Sequence, residues 1–406
     1  MGSDSACPRV LRPSTRSTGS NRSLIISRAS RLYVTSVNPQ ATIIDSRSED
    51  LMMESAITDV ISMTRPVQLQ ALAKMSADLG REFCLVQGPG GNSSLKEGDT
   101  LWVKASGSWL AEALDKPIFV SLSLAKVVAL LAAGQGDDFA SAIQSNTMLK
   151  ASIETGLHAL MPHPVVIHTH SFGSVLTSTL RRGYDRLQER LGDHIQWDWI
   201  PYRRPGGPLA VAVAQCLAAR HRLPDVLLLA NHGVVVGADT AEDAAAILRD
   251  VERRLEFPVQ ERLASRTMSG SMSSTGRTFD LDQAYTRLAS DATALRFLTE
   301  APRFPDQVVF VGGALPLVRA GESVEEASKR AQERFGIQPV AVIERHVGVH
   351  LRRDRTSASD ATIRALLDIA LRLPEHETFD GLSESAIEVL ANWDAEAYRQ
   401  KLDNSR

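Results

Sequence analysis

Two imidazoles one residue apart, His168 and His170 in Val165-Val-Ile-His-Thr-His170, are the sharpest chemical signal in the chain. In an extended segment residues i and i+2 project from one face, so both rings can reach a single metal ion. A third imidazole, His232, lies in Val226-Leu-Leu-Leu-Ala-Asn-His232-Gly-Val-Val-Val-Gly237, where Asn-His-Gly interrupts two apolar runs and reads as a turn. Three histidines with an open fourth position are the donor set of a catalytic rather than a structural zinc, and the same ligands accept other divalent ions. Glu154, in Lys150-Ala-Ser-Ile-Glu-Thr-Gly-Leu-His158, sits on a segment leading into the His-x-His strand. A glutamate on a helix is ordinarily solvated, but a carboxylate beside a metal can ligate it or move protons. His158, one turn later, reads as a helix-face or supporting residue. Upstream, Gln87-Gly-Pro-Gly-Gly-Asn-Ser-Ser94 and Lys104-Ala-Ser-Gly107 are glycine-containing turns whose N–H groups can cradle an anion such as phosphate. Their spacing matches neither a nucleotide-hydrolase phosphate loop nor a dinucleotide fingerprint, so no nicotinamide chemistry is expected.

These residues need a scaffold of alternating strands and helices. Short apolar runs at Thr100–Lys104, Ile118–Ser121, Val165–His170, Val226–Ala230 and Val234–Gly237 read as strands. Helical length and spacing appear over residues 54–80, 122–133, 148–160, 209–221 and 240–257, which makes a mixed α/β layer architecture. Ala264–Arg277 shifts to a Ser, Met, Thr and Gly mixture, and a linker is read at 263–278. Beyond it a smaller α/β unit, 279–406, is expected. It has a strand at Gln307–Val311, a helix at Ser323–Phe335, a strand pair at Val340–Leu351, and helices at Asp360–Leu373 and Ser383–Lys401. No cluster in that unit points to chemistry, and it reads as an accessory or oligomerisation region.

With 406 residues, 43% hydrophobic and 23% charged, and a net charge of -3, the chain has an ordinary globular composition and no basic footprint for nucleic acid. No run approaches the roughly 18 apolar residues of a membrane-spanning helix. Three widely spaced cysteines suggest neither a disulfide framework nor a thiolate site, and a cytoplasmic location is expected. Residues 1–53 begin rich in Ser and Arg, with few acids, and read as a disordered leader or a start placed too early, with Met52 or Met53 as the alternative start.

In order along the chain, Gly91-Asn-Ser-Ser94, Trp102-Val-Lys-Ala-Ser-Gly107, Glu154, His168-Thr-His170, Pro201-Tyr202 through Pro205-Gly206, and Asn231-His-Gly233 resemble the class II aldolases of the aldolase/adducin superfamily over about residues 54–260. The longer arrangement, including Asn392-Trp-Asp-Ala-Glu-Ala-Tyr-Arg399, is similar to the aldolase half of rhamnulose-1-phosphate aldolase/short-chain dehydrogenase fusion proteins. The resemblance implies a three-layer α/β/α sandwich around a mostly antiparallel sheet over 54–262, usually as a homotetramer. It implies Zn2+ on His168, His170 and His232, Glu154 as the proton-moving group, and a substrate phosphate at Asn92, Ser93, Ser106, Gly107 and Ser152. The reaction it implies is reversible aldol cleavage of a ketose phosphate through a metal-stabilised enediolate. A sugar-acid phosphate decarboxylase, an epimerase or a dehydratase on the same site stays open, as does a non-catalytic adducin-like module. Ile153, where family sugar-phosphate aldolases often carry a second hydroxyl residue, departs from the pattern.

Overall fold

Apolar runs without alternation are what a sheet covered on both faces demands, and the central sheet is built that way. The computed structural model describes residues 66–264, 272–274 and 278–405, all within a unit spanning Met52–Arg406. Helix α1 (Val67–Arg81) is followed by strands β1 (Asn92–Glu97), β2 (Thr100–Lys104) and β3 (Phe119–Ser123), then helices α2 (Leu124–Ala132) and α3 (Thr155–Leu160). Strand β4 (Val165–Thr169), helices α4 (Phe172–Thr179) and α5 (Gly183–Leu191), strand β5 (Trp197–Ile200) and helix α6 (Gly207–Ala218) come next. Strands β6 (Val226–Leu229) and β7 (Gly233–Ala238) and helix α7 (Ala241–Arg254) complete the first half. The seven strands run β3-β2-β1-β4-β7-β6-β5, antiparallel throughout except for the β5–β6 pair.

Strand residues divide between two helical layers by parity. Val165, Ile167, Val234 and Val236 pack with Leu72, Leu79 and Leu248 of α1 and α7. Val166, Val235, Leu227 and Leu229 face the other way, against Leu157, Met161, Leu209 and Val213 of the α3 and α6 side. This is the three-layer sandwich around a mostly antiparallel sheet.

The remaining elements are β8 (Met272–Ser274), β9 (Phe279–Asp282), α8 (Ala292–Thr299), α9 (Pro305–Val311), α10 (Val324–Phe335), β10 (Ala341–Glu344), β11 (Gly348–Arg352), α11 (Ser357–Ala370), α12 (Glu384–Ala391) and α13 (Asp394–Asp403). Their sheet runs β10-β11-β9-β8. Phe172, Val175, Leu176 and Leu180, on and just after α4, share a core with Phe297, Ile343, Leu351 and Leu366 of this region. Helix α4 is buried along its whole length for that reason. Of the linker read at 263–278, Met272–Ser274 pairs with β9, while 265–271 and 275–277, like the leader at 1–53 and the helix start near 54, lie outside the described residues.

Three local expectations are corrected. Gln307–Val311 is part of helix α9, not a strand: Pro305 opens its first turn and Gly312, at φ 88, closes it in the left-handed region, whereas its valines alone suggested extension. The helix read over 148–160 begins only at Thr155, because Ser152 Oγ accepts from the Glu154 N–H and Ser152 O accepts from Thr155 Oγ1, local bonds that compete with a helical ladder. The helix read over Ser383–Lys401 breaks at Asn392–Trp393 into α12 and α13.

Candidate metal centre

Strand β4 ends in the sheet centre, between β1 and β7, with His168 opposite Asn92 on one side and Val235 on the other. His232 reaches the same point from the β6–β7 turn. Asn231 turns the chain there at φ 53, and its side-chain amide donates to Arg303 O at 3.0 Å and Asp380 O at 2.9 Å. Gly233 must follow, because a Cβ would lie 2.3 Å from Thr169 O. The three rings stand 4.8 to 5.0 Å apart, centroid to centroid, and all three are buried.

The hydrogen bonds decide where their lone pairs point. His168 Nδ1 is 3.0 Å from Val234 O, which can only accept, so Nδ1 carries the proton and Nε2 a lone pair. His170 Nδ1 is 3.1 Å from Asp306 Oδ2. Burial opposes charge on Asp306, but Arg399 and His170 outweigh it and hold the carboxyl well below its usual range, so it too accepts. With both Nδ1 atoms committed in this way, the two Nε2 atoms face each other at 3.0 Å. Glu154 adds negative charge, with Oε2 3.4 Å from His168 Nε2 and Oε1 3.5 Å from His232 Nε2. Burial pushes the His168 and His232 rings toward neutrality, His232 down to about 3. Three imidazoles and a carboxylate converging on one point call for positive charge among them. The donor set therefore fits a divalent metal.

Glu154 caps the start of α3. Burial alone would raise its pKa, but positive charge in the imidazole cluster and the Asn92 amide that donates to it outweigh that and take it down to about 2, so it is ionised. Asn92 Nδ2 donates to Glu154 Oε2 at 2.8 Å and to Ser152 Oγ at 3.2 Å, and Asn92 Oδ1 accepts from His158 Nε2. Ser94 Oγ in turn donates to His158 Nδ1 at 2.7 Å. His158 is thus a buried neutral support for Asn92, with its pKa pushed down to about 3 by burial. In the unfolded chain it would titrate near about 6.5, so stability is lost as pH falls from there toward about 3, by on the order of 2 kcal/mol at about pH 5. Urea unfolding at about pH 7.5 and about pH 5 should show this loss, and a His158→Gln variant should show a shallower one. Equal losses would contradict the assignment.

A cavity opens over the cluster. Asn92, Ser106, Gly107, Ser152, Glu154, His170 and His232 line it, as do Lys104 and, from the far side, Asp306, Glu396 and Arg399. Lys104 Nζ donates to Pro89 O at 2.8 Å and Ser108 O at 2.7 Å, tying the two glycine-containing turns together. Ser93 does not join the group. Strand alternation turns it to the opposite face, where its Oγ lies 2.7 Å from Ser76 Oγ. Glu396 Oε2 accepts from Arg399 Nη1 at 2.8 Å, while its buried Oε1 has no hydrogen-bond partner. Burial raises the pKa of that carboxyl.

Residues 70–258 match the family model for the class II aldolase and adducin N-terminal domain. Over that segment, somewhat under half of the chain, the sequence is similar to this family. Among relatives, the uncharacterized oxidoreductase YuxG of Bacillus subtilis (strain 168) is 26% identical over 220 residues, 50% of this chain and 31% of that protein. The chain thus spans about a third of its curated relative, which accords with a likeness to the aldolase half of a fusion with a dehydrogenase. Among solved structures, the N-terminal class II aldolase domain of a conserved protein from Thermoplasma acidophilum is 25% identical, with a TM-score of 0.42, covering 47% of this chain and 93% of that one. L-fuculose-1-phosphate aldolase from Thermus thermophilus is 16% identical, with a TM-score of 0.33, covering 47% of this chain and 92% of that one.

Every site residue read from the sequence lies inside the aldolase/adducin domain. Asp306, Glu396 and Arg399 lie outside it, and sequence reading missed their role. Asp306 was hidden in a segment whose valines imitate a strand. Glu396 and Arg399 fall in the Asn392–Arg399 stretch that carried a resemblance but no spacing that chemistry would explain. Among the described residues no helix is long and apolar enough to cross a membrane.

Proposed function

We propose that this protein is a divalent-metal-dependent lyase that carries out reversible aldol cleavage of a ketose phosphate. The observation carrying this reading is the pair of imidazole Nε2 atoms 3.0 Å apart with the Glu154 carboxylate beside them. His168, His170 and His232 would hold the ion, with zinc as the expected metal. When bound, it supplies Lewis-acid polarisation of the substrate's carbonyl and hydroxyl oxygens.

Two carboxyls whose surroundings push them in opposite directions divide the proton work. In the condensation direction ionised Glu154 takes a proton from the carbon beside the ketone, and Glu396, which lines the cavity and leaves its Oε1 unpartnered, is the group placed to give one to the oxygen of the incoming aldehyde. In cleavage each proton returns: Glu396 takes it from the hydroxyl as the carbon–carbon bond breaks, and Glu154 delivers one to carbon. The pair holds one proton in either state, so the cycle balances. Both N–H bonds of the Asn92 amide are already directed to Glu154 and Ser152, which leaves its side chain no donor for a phosphate. Ser106, Gly107 and Ser152 are the phosphate-binding residues of this reading. The same reading includes a homotetramer, as the resemblance implies.

Proton NMR in D2O tests the reading. Metal-loaded protein should exchange a carbon-bound hydrogen of dihydroxyacetone phosphate with solvent, and should release aldehyde from a ketose 1-phosphate. Release of carbon dioxide from a sugar-acid phosphate, or epimerisation without aldehyde, would replace the aldolase with one of its rivals on the same site.

A further inference from the structure

Two of the three imidazoles are held in different ways. His168 is fixed by the backbone of β7, within the aldolase/adducin domain. His170 lies beyond the last residue of β4, and its Nδ1 meets Asp306, a residue outside that domain. Asp306 is buried, and its second oxygen, Oδ1, lies 2.9 Å from Arg399 Nη1. Arg399 is buried as well, with its guanidinium 5.0 Å from the Phe310 ring centroid. Helix α13, which carries Arg399, is anchored independently: Gln400 Nε2 donates to Val309 O at 2.6 Å, and Asp403 Oδ1 accepts from the Ala358 N–H at 3.0 Å. Gly90 leaves the space for this approach, since a Cβ there would lie 3.0 Å from Asp306 Oδ2 and 3.1 Å from His170 Nδ1.

We infer that Asp306, seated by Arg399, is a positioning residue that orients His170 toward the cation, so that the C-terminal region is an integral part of the metal centre. The inference rests on the metal-dependent reading above. An imidazole beyond a strand end is free to rotate and to choose its tautomer. A carboxylate accepting from Nδ1–H removes both freedoms and makes Nε2 a better donor to a metal, and loss of such a partner typically weakens metal binding about 10- to 100-fold. Arg399 does for Asp306 what Asp306 does for His170, since a buried carboxylate without a cation beside it would be protonated or would turn away.

The test is zinc affinity of the full chain, measured by competition with a chromophoric chelator, for the wild type, Asp306→Ala, Asp306→Asn and Arg399→Met. The expected result is about 10- to 100-fold weaker binding in Asp306→Ala and weaker binding in Arg399→Met. Asp306→Asn should recover most of the affinity, because its amide oxygen still accepts from Nδ1–H. Wild-type binding of one zinc with Asp306→Ala within about twofold would overturn this inference and leave the functional reading standing. A wild type that takes up no zinc would overturn both. Should Asp306→Ala not fold, 15N NMR of the imidazoles in the metal-free wild type decides: an Nδ1–H tautomer at His170 supports the inference, and an Nε2–H tautomer overturns it.

Discussion

Glu154→Gln is expected to keep the cation and lose turnover. The amide preserves size and leaves an oxygen near the Asn92 amide, which now stands 2.8 Å from Oε2, so the fold and the three imidazoles are undisturbed. What disappears is an ionised group able to take a proton from carbon. Positioned general acid–base groups contribute roughly 10²- to 10⁴-fold, and the drop in kcat should fall in that range. The variant should also lose solvent-hydrogen exchange into dihydroxyacetone phosphate, while elemental analysis still finds the metal. A variant with the metal and a normal rate would remove Glu154 from the mechanism. If the metal is lost too, Glu154 acts chiefly as a ligand.

The second large effect concerns the ion itself. His168→Ala should abolish metal uptake and activity together, because His168 Nε2 lies within 3.0 Å of His170 Nε2 and 3.4 Å of Glu154 Oε2 and so stands at the centre of the cluster. Elemental analysis should find about one divalent ion per wild-type chain and none in the variant. Thermal unfolding gives an independent reading. A ligand that binds only the folded state stabilises it by about 2.7 kcal/mol at a hundredfold excess over Kd, so zinc should raise the wild-type Tm and leave that of His168→Ala unmoved. Because the metal-loaded wild type carries this binding free energy, a chelator should lower its Tm to that of the metal-free chain. A wild type indifferent to both zinc and chelator would favour a non-catalytic module.

The central sheet was legible because its strands are buried on both faces, and Val226–Ala230 and Val234–Gly237 announce themselves as uninterrupted apolar runs. Strand β1 escaped notice for the opposite reason. Its first residues, Asn92, Ser93 and Ser94, are polar yet buried, and each is satisfied by a partner distant in sequence: Glu154 and His158, Ser76, and His158 respectively. A glycine-rich turn ahead of polar residues reads as a loop until those partners are known. Helix α4, FGSVLTST, turns an apolar stripe of Phe172, Val175 and Leu176 to the C-terminal core, but its Ser174, Thr177 and Ser178 are buried as well, which their polarity does not announce.

Sequence alone determined which residues could do chemistry in the aldolase/adducin domain. Histidines at i and i+2 in an extended run must share a face, and Asn-His-Gly between apolar runs must be a turn; both follow from local backbone geometry, which a short stretch of chain specifies by itself. Tertiary structure decided what those local rules do not reach. The tautomers of His168 and His170 depend on Val234 O and Asp306, and the Asn92 amide donates to Glu154 and Ser152. Asp306, Glu396 and Arg399 close the site from outside the family domain. Hydrogen bonds and ion pairs act over a few ångströms in space with no regard for separation along the chain, so the chemical state of this site is a property of the folded protein.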